Sequence, residues 1–359
     1  MRARMGQQLL LAGDIGGTNS RFSLYERVPL APRFSRTYPS RSMESLEAAA
    51  LRFFDDARAE LGDEVEVVAG ALGVAGPIEG NVCRATNLPW VIDARRLGQR
   101  LSIPVLRLLN DFESIAHAIP VLNAQDLVAI GGGSPETGKP LAILGPGTGL
   151  GQAFLLPDAH VNPGADALKL SAPYTVLASE GGHADFAPRT PIEMGLLQYL
   201  TLRYGRVSNE RVLSGNGLSD IFTFLQEDPA FRALVTHETR ELLATAADRP
   251  AVISRQAQAA ADPVCQVALA VFASVLGAVA GNLALTVLAA GGVYIAGGIA
   301  PQIVSFLEKS AIRDAFEHKG RFRPLVQRIP LYVVVRDDVG LHGSAAYASR
   351  LTSDPLPTV

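Results

Sequence analysis

Cysteine is nearly absent from this chain: there are two in 359 residues, Cys83 and Cys265, far apart in sequence. Neither belongs to a Cys-x-x-Cys pair or a Cys/His cluster, so neither a disulfide framework nor a structural zinc site is expected. Two reduced, buried thiols are expected instead. Charge is sparse as well: Asp, Glu, Lys and Arg make up 19% of the chain against 48% hydrophobic residues, and the formal net charge is −3. That balance excludes an intrinsically disordered chain. It also argues against a surface built to coat nucleic acid or an anionic membrane. No low-complexity linker divides the sequence; residues 131–140 read as an exposed loop. A leader peptide is not expected, because the apolar run Leu9-Leu10-Leu11 is cut short by Asp14, and either Met1 or Met5 suits as a start. Residues 264–307 carry no charge, and 267–290 are apolar enough to cross a bilayer. Polar residues Gln266, Ser274, Asn282 and Thr286 and the absence of flanking basic clusters favour a buried helix over a membrane span.

What is present is an alternation of strand and helix patterns. Residues 9–12 read as a buried strand that ends in Gly13-Asp14-Ile15-Gly16-Gly17-Thr18-Asn19, and 21–25 alternate as a second strand. Leu46, Ala49, Ala50, Phe53, Phe54, Ala57 and Leu61 follow helical spacing. Residues 65–74 and 105–109 read as strands, with Asp93 as N-cap of a short helix between them. The opening pattern then returns: strand 141–144, turn Gly145-Pro146-Gly147-Thr148-Gly149-Leu150-Gly151, strand 152–156. Two copies of strand, Gly-rich turn and strand, about 130 residues apart, point to two related halves. Helices are expected near 191–204, 218–226, 250–260, 264–289, 301–316 and 340–350, and strands at 293–296 and 329–335. The class is therefore α/β, with helices covering a sheet.

Several residues bring chemistry. Gly-rich turns between strands present backbone N–H groups with no Cβ in the way, which suits an anion. Gly16, Gly17, Thr18 and Asn19 form one such turn, and Gly147, Thr148 and Gly149 another; the pair could grip a triphosphate. Neither is a Gly-x-x-x-x-Gly-Lys-Ser/Thr loop or the Gly-x-Gly-x-x-Gly dinucleotide fingerprint. Asp14 opens the first turn. Beside phosphate it calls for an intervening cation such as Mg²⁺; otherwise it serves as a turn former. Glu180-Gly181-Gly182-His183 puts a carboxylate and an imidazole on one Gly-rich loop, a pair able to meet adjacent sugar hydroxyls. A metal site is less suited there, because the two glycines oppose a helix, and a capping or salt-bridge role is the ordinary alternative. Asn110-Asp111 ends an apolar strand, where α/β folds bind ligands. Asp111 is either a general base for an attacking hydroxyl or a cap for the next helix.

Taken together, these segments resemble the bacterial glucokinase family of the hexokinase–actin–Hsp70 superfamily. The resemblance rests on the two Gly-rich turns, Leu109-Asn110-Asp111-Phe112, Ser179-Glu180-Gly181-Gly182-His183-Ala184-Asp185-Phe186-Ala187-Pro188, Glu210-Arg211-Val212-Leu213-Ser214-Gly215 and Gly291-Gly292-Val293-Tyr294-Ile295-Ala296-Gly297-Gly298-Ile299, all in the family's order. It implies two actin-like (ribonuclease H-like) α/β domains with a central interdomain cleft. The small domain would hold residues 1–111 and 336–359 and the large one 112–335. It further implies transfer of the γ-phosphoryl of ATP to the 6-hydroxyl of glucose, with Asp111 as base and Asn110, Glu180, His183 and Glu210 as sugar ligands. Asp14 would partner Mg²⁺, the two turns would hold the phosphates, and Gly297 and Gly298 would approach the adenosine. A cytoplasmic homodimer with no nucleic-acid or membrane partner goes with this. The sequence departs from the ROK group of glucokinases, which carry a Cys-rich zinc motif beside the sugar-binding His: no Cys lies near His183. Only about eight residues precede the first strand, too few for a helix-turn-helix. A kinase of another hexose or of an N-acetylated amino sugar, and a non-catalytic sugar sensor or filament subunit on the same fold, are the competing readings.

Overall fold

A computed structural model of the chain describes residues 8–62, 65–86, 88–158 and 174–352. Both candidate start residues, Met1 and Met5, lie outside the described residues. The chain divides into two compact units, Met1–Leu122 with Asp337–Val359, and Asn123–Arg336.

The first unit contains strands β1 (Gln8–Ile15), β2 (Asn19–Glu26), β3 (Ala31–Pro39), β4 (Glu66–Val74), β5 (Ile78–Glu79), β6 (Val82–Arg84), β7 (Val91–Asp93) and β8 (Leu106–Asn110). Its main sheet runs β3-β2-β1-β4-β8, and β5, β6 and β7 form a small separate sheet. β1 pairs antiparallel with β2 and parallel with β4, which in turn pairs parallel with β8. The apolar run of β1 fits a strand covered on both faces. Leu9 and Leu11 join one core with the Leu46–Leu61 helix, while Leu10 and Ala12 join another with Leu341, Ala345 and Ala348. The Leu46–Leu61 helix starts at an N-cap, Ser45, whose side chain accepts from the Ala48 N–H. Its stripe Leu46, Ala49, Ala50, Phe53, Phe54 and Ala57 is buried, and Phe53 stacks on Phe22 with ring centroids 5.4 Å apart.

The other face is covered by the C-terminal helix Val339–Leu351, which closes the first unit although it is last in sequence. Ser344 Oγ donates to the Gly13 carbonyl at 3.0 Å, and a Cβ on Gly343 would strike the Ser114 carbonyl. The Asp111–Ala118 helix therefore packs with this unit, and the division falls after Leu122 rather than directly after Asp111.

The second unit contains β9 (Leu127–Ala129), β10 (Leu141–Pro146), β11 (Leu150–Pro157), β12 (Tyr174–Ser179), β13 (Gly292–Ile295) and β14 (Leu331–Val334), in the order β12-β11-β10-β13-β14-β9. β10 pairs antiparallel with β11 and parallel with β13. The arrangement β3-β2-β1-β4-β8 thus recurs as β12-β11-β10-β13-β14, so the repeat seen in the two Gly-rich turns extends to whole sheets.

The long apolar segment is the Pro263–Thr286 helix, capped by Asp262, which accepts from the N–H groups of Val264 and Cys265 at 2.9 Å each. Length and hydropathy would let it cross a membrane, yet 78% of its most apolar window is buried in the unit. It is a core helix. The Ile312–Glu317 helix lies so close against it that a Cβ on Gly277 or Gly281 would strike the carbonyls of Ile312 or Phe316.

One expected helix is corrected. Residues 301–316 are broken into a 3₁₀ turn Ala300–Ile303 and the short helices Val304–Leu307 and Ile312–Glu317. At the break Ser310 turns its hydroxyl back to the Leu307 carbonyl at 2.9 Å, a local bond that competes with helix continuation.

Candidate active site

In the first unit the expected residues gather at the C-terminal ends of the parallel strands. Asp14 is next to last in β1 and faces Arg21 across the β1–β2 ladder, with Arg21 Nη1 3.6 Å from its Oδ2. The first turn of the C-terminal helix abuts its carboxylate: a Cβ on Gly340 would stand 3.5 Å from Asp14 Cγ. Burial pushes the Asp14 carboxyl above the usual carboxylate range; Arg21 opposes the shift and the negative charge of Asp111 adds to it. The two aspartates therefore sense one another.

Gly16, Gly17, Thr18 and Asn19 carry the chain from β1 into β2, with Thr18 and Asn19 exposed. Within the turn the Gly16 N–H donates to the Asn19 carbonyl at 2.9 Å. From outside, Ser40 donates its N–H to the Thr18 carbonyl (2.8 Å) and its hydroxyl to the Gly16 carbonyl (2.7 Å). Ser40 was not legible as a site residue; one serine in Pro39-Ser40-Arg41-Ser42 has no distinguishing pattern.

Asn110 and Asp111 lie where β8 passes into the next helix. Asn110 ends β8 and is the N-cap of the Asp111–Ala118 helix: its Oδ1 accepts from the Phe112 N–H at 3.0 Å, and Glu113 Oε2 accepts the Asn110 N–H at 3.3 Å. Asp111 is exposed at the first helical position, where its Oδ1 also accepts from the Phe112 N–H at 2.8 Å. The capping box is complete without Asp111.

The second unit joins its Gly-rich turn to the Glu180–His183 loop. Gly147, Thr148 and Gly149 link β10 to β11; the Gly147 N–H donates to the Gly149 carbonyl (2.8 Å), and the Gly147 carbonyl accepts from the Gly215 N–H (2.9 Å). β12 runs beside β11 and delivers Glu180 at its end. Gly181, Gly182 and His183 then make a 3₁₀ turn pressed onto β11, since a Cβ on Gly181 would strike Gln152 Oε1 and one on Gly182 the Leu150 carbonyl. The result is a cluster in which His183 Nε2 lies 3.7 Å from Glu180 Oε2 and His183 Nδ1 lies 3.7 Å from Glu210 Oε1. These separations exceed hydrogen-bond length, so the three side chains converge without consuming one another's polar atoms. Glu210 is anchored through its other oxygen, which accepts the Leu150 N–H at 2.9 Å. Arg206 laces the loop to this segment by donating to the His183 carbonyl and to Asp185, each at 2.7 Å.

Gly297 and Gly298 follow β13. Gly297 has φ +84°, and a Cβ there would stand 2.8 Å from the Pro146 carbonyl, so it is pinned to the end of β10. A Cβ on Gly298 would meet nothing within 4 Å. Among the described residues no group of three or more His, Cys, Asp or Glu side chains is placed to hold a metal ion.

A family model described as Glucokinase matches residues 11–351. The chain belongs to the glucokinase family. The glucokinase of Synechocystis sp. is 38% identical, covering 95% of this chain and 98% of that protein, and the glucokinase of Nostoc sp. is 40% identical, covering 96% and 99%. Among solved structures, glucokinase from an Antarctic psychrotroph superposes with a TM-score of 0.78 at 30% identity, covering 96% of this chain and 99% of that one. A ROK-family glucokinase from Streptomyces griseus, solved with glucose and AMPPNP, shares the fold at a TM-score of 0.61 and 19% identity, covering 95% and 99%. The fold of both units is thus that of the two-domain α/β sugar kinases.

Proposed function

We propose that this glucokinase-family chain is an ATP-dependent glucokinase that transfers the γ-phosphoryl of MgATP to the 6-hydroxyl of glucose, giving glucose 6-phosphate and ADP. The observation that carries the reading is the Glu180–His183–Glu210 cluster: two carboxylates flank one imidazole at 3.7 Å on each side, and Glu210 is held by the Leu150 N–H just after the second Gly-rich turn. Carboxylate and imidazole groups so spaced suit the paired donors and acceptors of a sugar. Asn110 would supply its amide to a further hydroxyl. Asp111, not needed for the capping box, accepts the proton of the 6-hydroxyl as that oxygen bonds to the γ-phosphorus and the β,γ-bridging bond breaks. Gly16, Gly17, Thr18 and Asn19, together with Gly147, Thr148 and Gly149, present amides to the phosphates, and Gly297 and Gly298 admit the adenosine.

Mg²⁺ fits the first unit. It commonly takes one or two carboxylates and completes its shell with phosphate oxygens and water. Asp14, disfavoured as an anion by burial and by Asp111, is a carboxylate that a cation would stabilise. Asp14 would hold the ion, directly or through water, and the ion when bound offsets charge on the leaving phosphates. We place the chain outside the ROK group, within the hexokinase–actin–Hsp70 superfamily, because no Cys stands near His183 in the sequence. A cytoplasmic homodimer belongs to the same reading, and light scattering coupled to gel filtration tests the dimer.

The deciding assay couples glucose 6-phosphate formation to a dehydrogenase, with purified protein, glucose and MgATP, beside Asp111→Ala. Turnover is expected in the wild type, with kcat lower by about 100-fold or more in the variant. Undiminished turnover in Asp111→Ala refutes the base assignment. Activity on a different hexose alone moves the substrate, and no activity on any sugar favours a sensor.

A further inference from the structure

Ser40 is fully buried just past the edge strand β3, and both its donors are spent on one turn. Its hydroxyl holds the Gly16 carbonyl at 2.7 Å and its N–H holds the Thr18 carbonyl at 2.8 Å; Ser20 Oγ, 2.9 Å from Ser40 Oγ, steadies the hydroxyl. A trans peptide keeps its C=O and N–H antiparallel. Drawing the Gly16 and Thr18 carbonyls toward Ser40 therefore turns the N–H groups of Gly17 and Asn19 the opposite way. Paired amides on one side of a Gly-rich turn are a concavity for an anion. The second unit uses a related device, in which the N–H of Gly215 holds the Gly147 carbonyl at 2.9 Å and so turns the Thr148 N–H away from Gly215. A distant donor thus clips the carbonyl of the corresponding glycine in both hairpins, one by a side chain and the other by backbone.

We propose that Ser40 is a positioning residue for phosphate recognition, setting the amides of Gly17 and Asn19 toward the polyphosphate of the nucleotide. This rests on the reading of that turn as an ATP phosphate loop. Of the two clips, only the Ser40 hydroxyl can be removed by a side-chain substitution.

The test compares wild type, Ser40→Ala and Ser40→Thr, the last retaining the hydroxyl. Inhibition constants against ATP are measured for inorganic tripolyphosphate and for adenosine, together with the KM values for ATP and glucose, after thermal melts show each variant folded at the assay temperature. One hydrogen bond is worth about fivefold in affinity. Ser40→Ala should therefore weaken ATP and tripolyphosphate by about fivefold or more while adenosine and glucose stay within about twofold, and Ser40→Thr should recover tripolyphosphate binding. Unchanged ATP and tripolyphosphate constants in folded Ser40→Ala overturn the proposal. So does an equal loss for adenosine and glucose, which would mark Ser40 as merely structural. If tripolyphosphate fails to compete in the wild type itself, the phosphate-loop reading is what fails, and the positioning role falls with it.

Discussion

Gly149→Ala separates two accounts of the second Gly-rich turn. If Gly149 only lets phosphate approach the backbone, the variant should weaken ATP alone. The structure gives it another neighbour: a Cβ at Gly149 would stand 2.5 Å from Glu210 Oε2, roughly 0.7 Å short of contact distance. That same oxygen accepts the Leu150 N–H at 2.9 Å, and a displacement of this size carries it out of hydrogen-bond range. A hydrogen bond to a charged group is worth about 1.5–3 kcal/mol, or roughly tenfold to a hundredfold in an equilibrium. The carboxylate moves as a unit, so Oε1 also leaves its place 3.7 Å from His183 Nδ1. The KM for glucose should therefore rise roughly tenfold to a hundredfold in Gly149→Ala, alongside any effect on ATP. Initial rates with both substrates varied measure this. In a Glu210→Ala background the added methyl meets no carboxylate, and Gly149→Ala should then change the KM for glucose little further, a non-additivity expected of touching residues. A Gly149→Ala enzyme with a normal KM for glucose would refute the link between this turn and the sugar ligands.

Asp14 and the thiols give two further tests. Because the folded chain raises the Asp14 pKa above 3.8, ionised Asp14 costs stability at pH values above that raised pKa, and the cost fades as pH falls through it toward 3.8. Asp14→Asn should melt above the wild type at pH 7, with the gap closing as the pH is lowered toward 4. The gain is small, since the carboxylate is about a third exposed and partly screened. An equal or lower melting temperature at pH 7 contradicts this. Burial raises the thiol pKa of both Cys83 and Cys265, so neither should react promptly with a disulfide reagent such as DTNB until urea unfolds the chain, when both should. Prompt labelling of the native protein would show that a thiol is accessible.

Short-range order is legible in the sequence. Alternation and turn glycines marked the β1–β2 and β10–β11 hairpins, whose register depends on residues a few positions apart. Apolar spacing marks the Leu46–Leu61 helix, and the pattern over 191–204 matches the Pro191–Tyr204 helix. Asp93 caps the Ala94–Leu101 helix by accepting from Arg95 and Arg96 N–H groups. The edge strand β3 leaves little trace in the sequence because it is mostly exposed and bears prolines at Pro32 and Pro39, which blur a strand pattern. That strand is what brings Ser40 to the first turn.

Composition and local periodicity by themselves determined the α/β class, the doubled hairpin and the residue types that bring chemistry, because helix and strand periods and caps act over a single turn or pleat. Tertiary structure alone decided which of those residues meet. Glu210 reaches the Leu150 N–H across 60 positions, Ser40 reaches Gly16 across 24, and Ser344 closes on Gly13 across 331. The Pro263–Thr286 helix, apolar enough for a bilayer, became a core helix only because other elements of its unit bury it. Such contacts follow from how sheets and helices stack after loops have closed, and no window of neighbouring residues contains them.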